Sequence, residues 1–381
     1  MRDDRVQNQP PRAPRVLIIP PSYRAEDRIV GGGERYALEY AKALSRYVGT
    51  THGLFDLRAG SRFEEALEHQ TFRFYPAGQK FGFRIPWQTV RELKAFDLLH
   101  LQVFPTPMAD LLILLARLRK QTVVLTDHGG TGPCWSSYLM KVHRKLDLNR
   151  LAHGVGVVSE YAARFFADWQ IPVSVLGGGA HLPEMQPSEA QPRGYALFVG
   201  RLLPHKGVLP LIESLDADMA LHIVGRPYDP AYLEQLRAAA RGKKVEFFLA
   251  ADDAELRRQM MGANVVVQPS LPGPNPMWDK TELCGLAALE AMAFAKPILV
   301  TRTASLPELV EEGKTGVIVP PHDLTALREP IRQFLRNPEM AAEMGRAARM
   351  RVEKRYTWDR VARRGLDFYR RLAPQYDWPD L

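Results

Sequence analysis

Two long stretches of this chain repeat a single pattern, a short β-branched or apolar run followed by a segment of helix length, and that alternation is the signature of parallel βαβ units. In the first stretch the strands are expected at Val16–Pro20, Gly53–Leu57, Thr71–Tyr75, Asp97–Val103, Thr122–Thr126, Gly154–Val158 and Val173–Leu176. Helical spacing covers Glu34–Ser45, Met108–Arg119 and Glu160–Trp169, the last opening after Ser159 as an N-cap. The pattern stops at Pro183–Arg193, where PEMQPSEAQPR reads as a linker. A second series then runs through strands at Tyr195–Val199, Ala220–Val224, Lys244–Leu249, Asn264–Gln268, Pro297–Val300 and Gly316–Val319. Two charged helices, Pro338–Lys354 and Trp358–Leu372, close the chain.

The fold class implied is α/β, with two facing Rossmann-like doubly wound domains and a ligand cleft between them. The expected division is residues 1–187, with 1–14 as a loose arm, then 188–356, then a last helix in 357–381 that crosses back to the first domain. A length of 381 residues suits two cores of this size. With 46% hydrophobic and 25% charged residues, disordered, collagen-like and coiled-coil chains are excluded. Cys134 and Cys284 are too few and too far apart for a disulfide framework or a zinc site. The apolar run Leu111–Ala116 is far below the roughly 18 residues of a membrane span. The polar first residues lack the apolar block of a signal peptide, so the expected location is cytoplasmic.

The formal charge is +8, and it is uneven. From Leu111 to Arg150 seven Lys/Arg face only Asp127 and Asp147. Lys141, Arg144 and Lys145 adjoin Trp135, Tyr138, Leu139 and Met140, so peripheral contact with the inner face of an anionic membrane is one expectation and an ordinary amphipathic helix the other. No nucleic-acid partner is expected, because no binding module or interleaved basic and aromatic pattern is present.

Two segments carry chemistry. Strand YALFV runs into Gly200-Arg201-Leu202-Leu203-Pro204-His205-Lys206-Gly207 before a helix. A loop at a strand's carboxyl end lies on the ligand side, where Gly200 lets backbone approach while Arg201 and Lys206 supply a planar fork and a point charge for adjoining phosphates. The alternative is a solvated basic loop. Further on, Glu282-Leu-Cys-Gly285-Leu286-Ala-Ala-Leu-Glu290 places one carboxylate before a helix and another two turns within it, roughly 8–12 Å along the axis. Two such acceptors can grip hydroxyls on different sugars, with the helix start offering free N–H groups to a diphosphate. By itself the segment also fits one capping and one surface Glu.

GRLLPHKG, ELCGLAALEAMAFAKPILVT and GKTGVIVPPHD together resemble glycosyltransferase family 4, retaining nucleotide-sugar-dependent enzymes of the GT-B fold. GGGERYALEYAKAL, DLLHLQ, TVVLTDHGG, VVSEYAARFF and YTWDRVARRGLDFYRRL extend the resemblance nearly end to end. It implies an acceptor-side first domain and a donor-binding second domain. It further implies that Arg201 and Lys206 bind the donor diphosphate, Glu282 and the amides of Gly285 and Leu286 the transferred sugar, and Glu290 the ribose. Gly31 and Gly32 would let a loop close over the phosphates, and His128 would lie by the donor sugar. The implied partners are a nucleotide sugar and a saccharide or lipid-linked acceptor, in polysaccharide, lipid-linked oligosaccharide or glycoconjugate synthesis. No cofactor or metal is expected, since Arg, Lys and a helix N-terminus can supply the counter-charge; Asp216-Ala217-Asp218, at the far end of its strand, reads as a turn.

Two departures stand out. The family's Asn-Gly-Val-Asp-like turn is Gly178-Gly179-Ala180-His181 here, and LPGPNPMWDKT, with Trp278, intervenes at 271–281. A nucleotide-sugar epimerase on the same architecture is the alternative function. A dinucleotide oxidoreductase is disfavoured because no G-x-G-x-x-G opens either domain.

Overall fold

The computed structural model describes residues 12–20, 31–56, 63–67, 70–76, 91–104, 107–129, 148–184, 192–273 and 281–380. The basic and aromatic run 135–145, Cys134, Trp278 and most of the arm lie outside them. By contacts the chain forms two units. One holds the described residues up to Val158, with Phe166–Leu176 and the chain from Val361 on; the other holds Ser159–Phe165 and Gly177–Arg360.

The first unit is built on eight strands: β1 (Val16–Ile19), β2 (Thr50–Asp56), β3 (Phe63–Leu67), β4 (Gln70–Pro76), β5 (Leu98–Phe104), β6 (Thr122–Asp127), β7 (Gly154–Val157) and β8 (Val173–Val175). Their order is β3-β4-β2-β1-β5-β6-β7-β8, all parallel except β3, which pairs antiparallel with β4. β1, β6 and β7 are buried along their length, as strands covered on both faces must be. Helix α1 (Gly32–Leu44) buries Tyr36, Ala37, Tyr40, Ala41 and Leu44, one stripe at helical spacing, and α2 (Pro107–Leu118) crosses from β5 to β6.

Expected helix Glu160–Trp169 is shorter in the structure. Ser159 does cap it, accepting from the Ala162 N–H at 3.0 Å, but α3 covers only Glu160–Ala163 before the chain tightens into a 3₁₀ turn at Arg164–Phe166. The tightening tucks Phe166 into the interior against Trp169.

The second unit has six parallel strands, β9 (Tyr195–Val199), β10 (Ala220–Val224), β11 (Lys244–Phe248), β12 (Val265–Gln268), β13 (Ile298–Thr301) and β14 (Gly316–Val319), in the order β11-β10-β9-β12-β13-β14. Connections leave β9 toward one edge and β12 toward the other, so a topological switch point lies between them. Helices α4 (Val208–Ser214), α5 (Pro230–Ala239), α6 (Asp253–Gly262), α7 (Leu286–Ala293), α8 (Leu306–Leu309), α9 (Leu324–Arg336) and α10 (Pro338–Arg355) complete the unit. Two apolar layers flank the sheet: Phe198, Leu221 and Val267 pack with Leu211, Ile331 and Phe334, while Leu197, Val266 and Val300 pack with Leu289, Met292 and Val352.

The closing helix α11 (Trp358–Leu372) packs into the first unit from Val361 onward, burying Val361, Ala362, Leu366 and Tyr369. Close approach explains its glycine: a Cβ on Gly365 would stand 2.0 Å from the Tyr40 hydroxyl. Beneath it Tyr40 donates to the Tyr369 hydroxyl at 2.8 Å, Tyr369 donates to His100 Nδ1 at 2.6 Å, and His100 Nε2 donates to Thr126 Oγ1 at 2.7 Å. This run of satisfied polar groups is fully buried, and burial pushes His100 down to about 3.

Candidate active site

The switch point of the second sheet is where the two sequence motifs meet. Gln268, at the end of β12, donates to the Val199 carbonyl at the end of β9 at 3.0 Å, clamping the strand ends together. The 200–207 loop follows β9 and forms a 3₁₀ turn at Pro204–Lys206. Gly207 closes it with φ +69°, and a Cβ there would come 1.9 Å from the Pro269 carbonyl oxygen, so only glycine fits between the turn and the end of β12. The Leu271 N–H donates to the His205 carbonyl at 2.8 Å, holding the two loops side by side.

Lys206 and Glu282 meet directly. Lys206 Nζ donates to both carboxylate oxygens, at 2.9 Å and 2.7 Å, and each side chain is 11% exposed. Glu282 is itself held from below: its carbonyl accepts from the Ser305 N–H at 3.1 Å and the Ser305 hydroxyl at 2.8 Å. Three residues later Gly285 takes the left-handed conformation, φ +66° and ψ +41°, as N-cap of α7. The first-turn amides of α7, beginning at Leu286, have no carbonyl one turn earlier within the helix, and the dipole's positive end lies there. Glu290 lies one turn into α7 rather than the expected two, because Leu283–Gly285 stay outside the helix, and it is half-buried.

Arg201 is exposed, its guanidinium 5.8 Å from the ring centre of Tyr228. Gly200 at the base of the loop donates to the Val224 carbonyl of β10 at 3.0 Å. The second unit therefore sets an exposed arginine, an ammonium fixed by a carboxylate and a helix N-terminus in the segments that follow its two central strands, groups that together suit an oxyanion.

Gly31, Gly32 and His128 belong to the other unit and are not gathered with this set within it. Gly31 caps α1 in an extended conformation, with the Glu34 carboxylate beside it, and Gly32 begins the helix. His128 follows β6 and is half-buried; its Nε2 donates to Gln102 Oε1 at 2.8 Å and its ring lies 5.0 Å from that of Tyr36 on α1. Desolvation pushes His128 down to about 4, so the ring is neutral at pH 7.

Sequence reasoning missed several parts. Gln102 orients His128. Thr303 donates to the Ser270 carbonyl at 2.7 Å, Thr301 donates to the same oxygen, and together they tie the end of β12 to that of β13. A hydroxyl-rich segment, Thr301-Arg302-Thr303-Ala304-Ser305, directly after a buried strand was the available signal. Gly178 and Gly179 also acquire a reason. A Cβ on Gly178 would lie 2.6 Å from Cys284 Sγ and from Leu289 Cδ1, and one on Gly179 2.5 Å from the Trp358 ring. Cys284 and Leu289 fill the space that a side chain at 178, where the family's turn carries Asn, would need, while Trp358 closes on 179, where that turn also has Gly. Asp216 is engaged with Arg328 and Arg332 of α9.

Comparison with known proteins places these features in a family. Residues 30–182 match the model for Glycosyltransferase Family 4 and residues 184–351 that for Glycosyl transferases group 1. The chain is 29% identical over 304 residues to the phosphatidyl-myo-inositol mannosyltransferase of Mycobacterium leprae, covering 73% of this chain and 74% of that one. It is 28% identical over 224 residues to the D-inositol 3-phosphate glycosyltransferase of Streptomyces avermitilis, 52% of this chain and 46% of that one. Among solved structures, the sucrose-phosphate synthase of Thermosynechococcus elongatus superposes with a TM-score of 0.72 at 21% identity, covering 95% and 99% of the two chains. Anabaena Alr3699/HepE, solved in complex with UDP-glucose, does so with 0.69 at 17% identity, covering 93% and 99%.

Proposed function

The chain belongs to the GT-B glycosyltransferases of family 4, and from that premise we propose that it transfers a sugar from a nucleotide diphosphate to an acceptor hydroxyl with retention of anomeric configuration. The observation that carries this reading is the Lys206–Glu282 pair set beside the amino end of α7, with Arg201 on the same loop as Lys206. As the glycosidic bond to the donor breaks, negative charge grows on the leaving phosphate and positive character on the anomeric carbon. Arg201, Lys206 and the α7 amides at Gly285 and Leu286 are the groups that stabilise the former. Glu282 holds Lys206 at a fixed point by using two of its three N–H bonds, so the third can turn to a phosphate oxygen without reorganising the side chain. Glu290 binds the ribose, and Gly31, Gly32 and His128 are the first-domain residues assigned to donor binding. Neutral His128 serves as a hydrogen-bonding group rather than a cation.

Counter-charge from two side chains and a helix terminus makes a divalent ion unnecessary in this scheme. Binding of UDP-glucose by Alr3699/HepE supports a nucleotide-sugar donor. The inositol lipid in the name of the M. leprae relative supports a polyol or lipid-linked acceptor. The test is thermal stabilisation and nucleotide release with UDP-, GDP-, ADP- and TDP-sugars in chelator. One donor should stabilise the protein, and Arg201→Ala and Glu290→Ala should abolish the effect. If no donor binds, the reading fails.

A further inference from the structure

In the first unit, α2 presents an unusual face. Leu111, Leu114 and Leu118 recur at i, i+3 and i+7, which sets them on one stripe, yet they are 44%, 40% and 79% exposed. Leu112, Ile113 and Ala116, on the opposite face, form the core contact, so the exposed leucines are not needed to hold the helix down. Against α2 packs the 3₁₀ turn Leu148–Leu151, which adds Leu151 at 41% exposure. The stripe has a cationic border. Arg117 flanks it, bonded to His153 Nε2 at 2.7 Å, and exposed Arg119 and Lys120 follow at its end. Arg150 reaches Trp169, 5.5 Å from the ring centre, and pairs with Asp168 at 2.9 Å. Within residues 107–120 the sole acid, Asp110, is buried.

We propose that this face of α2 docks on an anionic lipid bilayer, with the leucines entering the acyl boundary and Arg117, Arg119 and Lys120 at the headgroup phosphates. Exposed leucines on one side of a helix and cations at their edge are what a helix lying in the interface plane requires. Charge decides against a second copy of the chain, which would bring two like-charged borders together. Area decides the same way: the four leucines expose about two side chains' worth of surface, short of the roughly 800 Å² per partner of a stable interface. The inference deepens the lipid-acceptor reading and is independent of residues 135–145.

The experiment is flotation with vesicles of phosphatidylcholine alone or mixed with phosphatidylglycerol, without donor or acceptor. The protein should float only with the mixed vesicles, and less so as salt rises. Leu111→Gln/Leu114→Gln/Leu118→Gln should lose most of the binding. Arg119→Gln/Lys120→Gln should weaken it by about 25-fold, at about fivefold per cation, while the charge-preserving Arg119→Lys/Lys120→Arg keeps it. Unchanged melting and donor-induced stabilisation show that the variants are folded. Binding indifferent to phosphatidylglycerol, or equal in the leucine variant and the parent, overturns the proposal. So does a change in solution mass on leucine substitution without vesicles, which would make the face a subunit contact. Vesicle binding that behaves as described while no donor stabilises the protein would leave docking intact and remove the transferase reading instead.

Discussion

Lys206 Nζ lies 2.7 Å and 2.9 Å from the two carboxylate oxygens of Glu282, and the two residues, 76 positions apart, come from loops that follow different strands. The pair is a structural fastening as well as part of the proposed site, because it joins the 200–207 loop to the entry of α7. With both side chains largely buried, loss of one partner strands the other's charge.

Glu282→Ala should therefore cost up to about 3–5 kcal/mol of stability. Lys206→Met/Glu282→Leu should recover part of that loss, because neither charge is then left unpaired. Urea denaturation of the single and double variants measures the coupling. A double variant less stable than either single one would contradict a net cost of stranding charge.

Gly178 and Cys284 should be coupled in a similar test. Gly178→Ala puts a methyl group 2.6 Å from Cys284 Sγ and from Leu289 Cδ1, an overpacking worth about 1–3 kcal/mol. Cys284→Ala removes one of the two obstacles and should offset part of the loss. A double-mutant cycle with an interaction term near zero would show that the packing of this turn is not what excludes a side chain there.

Two histidines held neutral by desolvation predict a pH dependence. His100 and His128 are pushed down to about 3 and about 4, whereas an unfolded chain binds their protons near 6.5. Above 6.5 both states are neutral at these sites and no difference arises. As pH falls below 6.5 the unfolded state takes up protons that the fold refuses, so stability drops, by up to about 1.4 kcal/mol per pH unit for each histidine. His100→Gln should lower stability at pH 7.5, where it breaks the Tyr369 and Thr126 contacts, yet flatten the decline toward pH 5. An unchanged slope in the variant would show that His100 titrates normally in the fold.

Much of the architecture was legible because parallel strands covered on both faces must be continuously apolar: VLII and TVVLT announce β1 and β6. β3 was not legible. Its FEEAL sequence carries two glutamates, and its antiparallel place at the sheet edge gives no continuous apolar run. The motifs around Arg201, Lys206, Glu282 and Glu290 could be recognised from residue type and spacing, but the ion pair joining two of them could not. Spacing in a chain says nothing of which side chains converge once strands β9 and β12 lie side by side. Long-range fastenings such as Thr303 to Ser270, or Gln102 to His128, were hidden for the same reason. Gly178 looked like the loss of a functional turn; Cys284 and Leu289 occupy the space that a side chain there would take.

The central claim is that Arg201 and Lys206 act on the departing phosphate. Turnover of the donor that stabilises the protein should be measured for the parent, Arg201→Ala and Lys206→Ala, each verified as folded by its melting curve. Each substitution removes one preorganised charge and should lower kcat by about 10²–10³. Near-parental turnover in both variants would contradict the assignment of the site.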